Sequence, residues 1–142
     1  MATAYIVDAV RTAGGRRGGK LASWHPVDLA AATLDALVAR SGIDGTKVDD
    51  VIMGCVTQAG QQAMQVGRNA VLAAKNLPDS VPAVTIDRQC GSSQQAMQFA
   101  AQAVMSGTMD VVIAAGVESM TRVPMGSNAM FHMKEGLGHY KS

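Results

Sequence analysis

Residues 89–109 carry no charge, and the stretch that follows, Asp110-Val111-Val112-Ile113-Ala114-Ala115-Gly116-Val117, is an almost continuous apolar run. A helix that is apolar on most sides belongs in an interior, and a strand without polar alternation is covered on both faces. Joined end to end, the two demand a layered architecture with helices packed on a sheet. The rest of the chain repeats the theme. Strands are expected at residues 5–10, 48–56, 81–87 and 110–117, and helices from Pro26, at residues 66–75 and within residues 89–109. The order β-α-β-α-β-α-β predicts an α/β fold with a mostly parallel sheet.

Local signals support the first helix. Pro26 suits a first helical turn, Asp28 meets the positive end of the dipole, and Gly42 suits a C-terminal cap. Val27, Ala30, Ala31, Leu34, Leu37 and Val38 recur at helical spacing and are the expected buried stripe. Aromatic residues make up only 4% of the chain, so the core must come from Ala, Val, Ile, Leu and Met. Residues 119–142, with Pro124, Gly126, Asn128, Gly136 and Gly138, break the pattern and read as a loop excursion.

With 142 residues, 48% of them hydrophobic, the chain is neither disordered nor too short for one sizeable core. It fits one domain or one piece of something larger. Two cysteines cannot build a disulfide scaffold, and a net charge of +1 offers no footprint for nucleic acid. No apolar run approaches the ~20 residues of a bilayer span. The N-terminus reads as the start of a strand and not as a signal peptide, so a cytoplasmic, reducing setting is expected.

The segment Asp87-Arg88-Gln89-Cys90-Gly91-Ser92-Ser93 lies between an apolar strand and the uncharged helix. Carboxyl ends of strands are where open α/β sheets place functional groups. A thiol in the first turn of a helix meets unpaired amides and the positive dipole end, which favour thiolate. Gly91 leaves room for a substrate to reach the sulfur, and the neighbouring amides suit an oxyanion. Cys90 can equally be a small buried hydrophobe; spacing alone leaves both readings open.

The run from Asp87 to Ala96 closely resembles the nucleophile motif of thiolases, the acetyl-CoA acyltransferases. Asp8-Ala9-Val10-Arg11-Thr12, Gly67-Arg68-Asn69-Ala70 and Ala115-Gly116-Val117-Glu118-Ser119-Met120-Thr121 resemble other thiolase stretches in order and spacing. The Arg-Gln before the cysteine and the Ser-Ser-Gln-Gln after it look most like degradative actinobacterial thiolases of fatty-acid and steroid breakdown. The resemblance implies a layered thiolase fold, with residues 1–118 as an N-terminal half-domain and residues 119–142 as the start of a loop domain over the substrate. It implies that Cys90 is acylated by an acyl-CoA, that its backbone N–H forms half of an oxyanion hole, and that a 3-oxoacyl-CoA is cleaved to acetyl-CoA and a shortened acyl-CoA. Coenzyme A is then a substrate, with no cofactor and no metal, and the full-length protein is expected to be a homo-oligomer. Thiolases complete the site with histidines of Asn-Glu-Ala-Phe and Gly-His-Pro segments and a cysteine of a Cys-x-Gly-Gly segment, none of which occurs here. Two alternatives stand beside this: a related ketoacyl-synthase-type condensing enzyme, and a catalytically incomplete fragment that serves only in assembly.

Other residues carry weaker signals. Cys55 reads as a buried core thiol. His25 falls near a helix start, while His132 and His139 fall in the excursion without metal-ligand spacing. Met120 and Met125, with Met130 and Met133, suit an acyl pocket, a subunit contact or ordinary loop packing. Arg11, Arg16, Arg17 and Lys20 form a basic glycine loop that is either a CoA phosphate site or simply solvated. With its partner half absent, the central helix is expected to expose an apolar face and drive self-association.

Overall fold

The computed structural model describes residues 3–136. Helix α1 spans Pro26–Ser41, strand β1 Asp50–Gly54, helix α2 Val66–Ala73, strand β2 Ala83–Ile86, helix α3 Ser92–Ser106, strand β3 Val112–Gly116 and helix α4 Ser127–Lys134. Single turns of 3-10 helix occur at Gly45–Lys47 and Gly60–Gln62. The sheet has three parallel strands in the order β2-β1-β3. Two β-α-β crossovers build it, with α2 and α3 as the connections.

Alternation along β1 separates two cores. Val51 and Met53, with Ile113 of β3, face a cluster that includes Leu34, Val38, Val66 and Val71 from α1 and α2. Ile52 faces the other way, onto Ala96 and Ala100 of α3. The sheet is thus sandwiched between α1 and α2 on one face and α3 on the other. Burying a side chain such as Leu34, which is 2% exposed, contributes about 1.5–3 kcal/mol.

Helix α1 begins as its sequence suggests, and His25 is its cap: Nδ1 accepts the Val27 N–H at 3.2 Å. Gly42 ends it at φ 70°, its N–H donating to the Val38 carbonyl. The entry to β3 is held by Asp49. Its carboxylate accepts the N–H groups of Asp110 and Val111 at 2.7 and 2.9 Å, and these bonds, that from Val111 foremost, hold its carboxyl below the usual carboxylate range.

Two expectations need correction. Residues 5–10 form no strand. Tyr5, Ile6 and Val7 are 82%, 75% and 83% exposed, and residues 5–10 join no strand of the sheet. An apolar, β-branched run favours extended backbone, but a strand also needs a neighbour for its N–H and C=O groups. Here residues 5–10 and β3 border a common cleft of about 1390 Å³ without reaching one another. The apolar face that α3 was expected to expose is present. Only Ser92, Gln95, Ala96 and Ala100 are covered, while Met97, Phe99 and Met105 are 52%, 41% and 48% exposed, because a single sheet face covers it. The second correction is that the excursion after residue 118 is not all loop, since α4 occupies part of it. His139 lies outside the described residues.

Candidate active site

The loop from β2 to α3 is shaped by two short bonds that cross Cys90. The Gly91 N–H donates to the Arg88 carbonyl at 2.6 Å, and the Arg88 N–H donates to Ser92 Oγ at 3.0 Å. The chain thereby turns sharply out of the sheet, and Cys90 adopts φ 63°, in the left-handed region. That conformation costs a non-glycine residue roughly 1–2 kcal/mol, and such strain clusters at functional positions. Cys90 is exposed. It stands just ahead of Gly91, the cap of α3, and so one step outside the first turn in which its sequence placed it. The first amides of α3, which have no partner within the helix, are the donors nearest to it in the chain.

Two glycines let the helix start come this low. Gly54 ends β1 and Gly116 ends β3, and they are paired across the sheet. A Cβ on Gly54 would lie 2.4 Å from the Ser93 nitrogen, and one on Gly116 would lie 2.7 Å from the Ser93 Cβ. Only bare backbone allows α3 to rest directly on the strand ends.

A second group, not foreseen in the sequence, binds the ends of β1 and β3 together. Glu118 accepts the N–H groups of Val56 and Thr57 at 2.7 and 3.1 Å and the side-chain amide of Gln62 at 3.0 Å. Gln62 is fully buried. Its Nε2 also donates to the Thr57 carbonyl at 2.8 Å, and its Oε1 accepts the Ser119 N–H at 2.6 Å. Arg122 extends the rim, donating to Gln61 Oε1 and to the carbonyls of Ala22 and Ser23. Beneath this rim lies Cys55, 1% exposed. Burial, then the carboxylates of Glu118 and Asp87, push its thiol up to about 12. It is a protonated core thiol at neutral pH, and both cysteines are free.

The expected site residues fall into two places. Cys90 and Gly91 share the β2–α3 loop. Met120 and Met125, 55% and 79% exposed, border the cleft that also touches Ile6, Met97 and Ile113, and neither Cys90 nor Gly91 borders that cleft. Arg11, Arg16 and Arg17 line the same cleft from an exposed loop. Arg68 ties α2 to the approach of β2 through the carbonyls of Val81 and Asp79 at 2.7 and 2.8 Å, a structural duty. Among the described residues no group of three or more His, Cys, Asp or Glu side chains is placed to hold a metal, and no helix is long and apolar enough to cross a membrane.

Residues 4–141 match the thiolase N-terminal domain family. The chain is 56% identical over 127 residues to a steroid 3-ketoacyl-CoA thiolase of Mycobacterium tuberculosis, covering 89% of this chain and 31% of that protein. It is 48% identical over 125 residues to a beta-ketoadipyl-CoA thiolase of Acinetobacter baylyi, covering 87% and 31% of the two chains. The crystal structure of the Bacillus anthracis acetyl-CoA acetyltransferase superposes with a TM-score of 0.81 at 41% identity, again over 87% of this chain and 31% of that one. The chain therefore spans about 31% of the length of these relatives. The family match over nearly the whole chain, with these identities and the shared fold, places the chain in the thiolase family, within its N-terminal domain.

Proposed function

We propose that this chain is the nucleophile-bearing part of an enzyme that cleaves 3-oxoacyl-CoA with coenzyme A. The observation that carries the proposal is the presentation of Cys90: exposed, left-handed, and next to the opening amides of α3. The Cys90 thiolate adds to the 3-keto carbon. The bond between C2 and C3 then breaks, and the electron pair leaves on acetyl-CoA, which takes up a proton at C2. Coenzyme A next attacks the acyl-cysteine thioester, gives up its thiol proton and returns Cys90 to thiolate. Amides ahead of α3 suit the oxyanion of either addition. The proton transfers fall to histidine and cysteine motifs that the resemblance assigns to the rest of a thiolase.

Residues 1–118 then serve as the half-domain that carries the nucleophile, and residues 119–142 begin the loop domain. Met120 and Met125 lie at its start, where flexible thioether side chains suit an irregular acyl group. The mycobacterial relative, whose name specifies a steroid 3-ketoacyl-CoA, favours a bulky acyl group over a short one. Coenzyme A enters as substrate with no metal or other cofactor, the whole protein works as a homo-oligomer, and two free thiols suit a reducing cytoplasm.

The test is intact mass after incubation with an acyl-CoA. The expected result is a single acyl adduct that disappears in Cys90→Ser. Absence of any adduct overturns the proposal and leaves the assembly-only reading.

A further inference from the structure

Ser92 is 6% exposed, yet its hydroxyl does not cap the helix it begins; α3 has no side-chain cap bond, and its cap residue is Gly91. Serine at a helix start ordinarily accepts an amide two or three residues ahead. Here Oγ reaches backwards over Cys90 and accepts the Arg88 N–H at 3.0 Å. The Gly91 N–H closes the same loop on the Arg88 carbonyl at 2.6 Å. Both peptide groups of Arg88 are therefore tied to residues beyond Cys90. The Ser92 backbone packs directly on the end of β1, since a Cβ on Gly54 would come within 2.5 Å of its carbonyl carbon. The hydroxyl is thus referenced to the strand ends.

We propose that Ser92 is a positioning residue for Cys90: its buried hydroxyl latches the 88–92 loop in the one shape that keeps Cys90 left-handed at the start of α3. Its consequence for acyl transfer rests on the function proposed above; its consequence for backbone shape does not. Without the latch, Cys90 relaxes toward commoner backbone angles, and the presented thiol becomes a minority conformer.

Peptide-level mass spectrometry after iodoacetamide treatment, run across a pH series on the full chain, tests this. Ser92→Thr and Ser92→Val have one shape and differ in the hydroxyl. Thr is expected to keep the Cys90 alkylation rate within about threefold of the parent, and Val to lower it roughly tenfold at neutral pH, the factor set by releasing one left-handed residue. The pH profile of Val is expected to be displaced and that of Thr to be unchanged. Equal rates and profiles for Thr and Val overturn the proposal, whatever their melting temperatures. Should neither variant fold, the comparison of Cys90→Gly with Cys90→Ala, with Ser92 intact, decides. A latched left-handed position makes the glycine variant melt higher by several degrees, and equal melting overturns the latch. A parent chain that alkylates at Cys90 but takes no acyl group from acyl-CoA sinks the acyl-transfer reading and leaves the Thr–Val comparison intact.

Discussion

Cys55 and Cys90 sit just beyond the carboxyl ends of neighbouring parallel strands, and they could hardly differ more. Cys55 continues the line of β1, its N–H paired to the Ile86 carbonyl and its buried sulfur facing the carboxylates of Glu118 and Asp87. Cys90 is carried four residues past β2 by a turn that ends on strained backbone, and it stays open to solvent. Residue type and topological position are nearly shared. Burial and two facing carboxylates silence one thiol, and a sharp turn presents the other. A cysteine at the end of a parallel strand is therefore not a nucleophile by position alone; the path of the next three residues decides.

The sharpest way to break this contrast is to remove each sulfur. Cys90→Ser is expected to abolish labelling by acyl-CoA or iodoacetamide in the native chain, while Cys55→Ser leaves labelling within about twofold; comparable labelling of both thiols by peptide mapping would erase the distinction. The next largest effect belongs to the glycine seat. Gly116→Ala is expected to cost roughly 1–3 kcal/mol by forcing α3 off the sheet, read as a lower denaturation midpoint, and to slow Cys90 labelling as well. Loss of stability with labelling untouched would separate the seat from the site.

The pH dependence of Cys55 comes third. Its native value, about 12, lies above that of an unfolded thiol near ~8.5. Between those limits the native state keeps a proton that the unfolded chain releases. The stabilising contribution is therefore complete below the unfolded value and declines as pH rises toward 12, by at most about 1.4 kcal/mol per pH unit. Urea titrations of parent and Cys55→Ala across that alkaline range should converge as pH rises; parallel curves would show that Cys55 is not sealed. Smallest is Glu118→Gln, which removes a charge facing Cys55 and weakens the clamp on Val56 and Thr57. A loss of about 1 kcal/mol is expected, with the alkaline decline still beginning at the unfolded value but ending at lower pH.

Much of the frame was legible because burial and periodicity are local properties. The α1 stripe, its start at Pro26 and the apolar strands around Ile52 and Ile113 follow from side chains within a few residues of each other. What failed depended on partners. Residues 5–10 look like a strand, but pairing is a property of two segments, and the local pattern names only one. The position of Cys90 was legible, but its backbone was not: a Cys-Gly pair suggests that glycine takes the positive φ, whereas Gly91 lies at −122° and Cys90 bears it. Gln62 was invisible, since a buried amide is recognised only once Glu118 and Ser119 are found around it.

The facing pair Gly54 and Gly116 has one more implication. Where α3 meets β1 and β3 at its opening turn, the strands contribute main-chain atoms alone. Such a bearing has no torsions to hop between on the strand side, so warming cannot loosen it by rotamer exchange as it loosens a contact between long side chains. The height of the sulfur above the sheet is then governed by atomic radii, and it should hold steady until the whole layer melts.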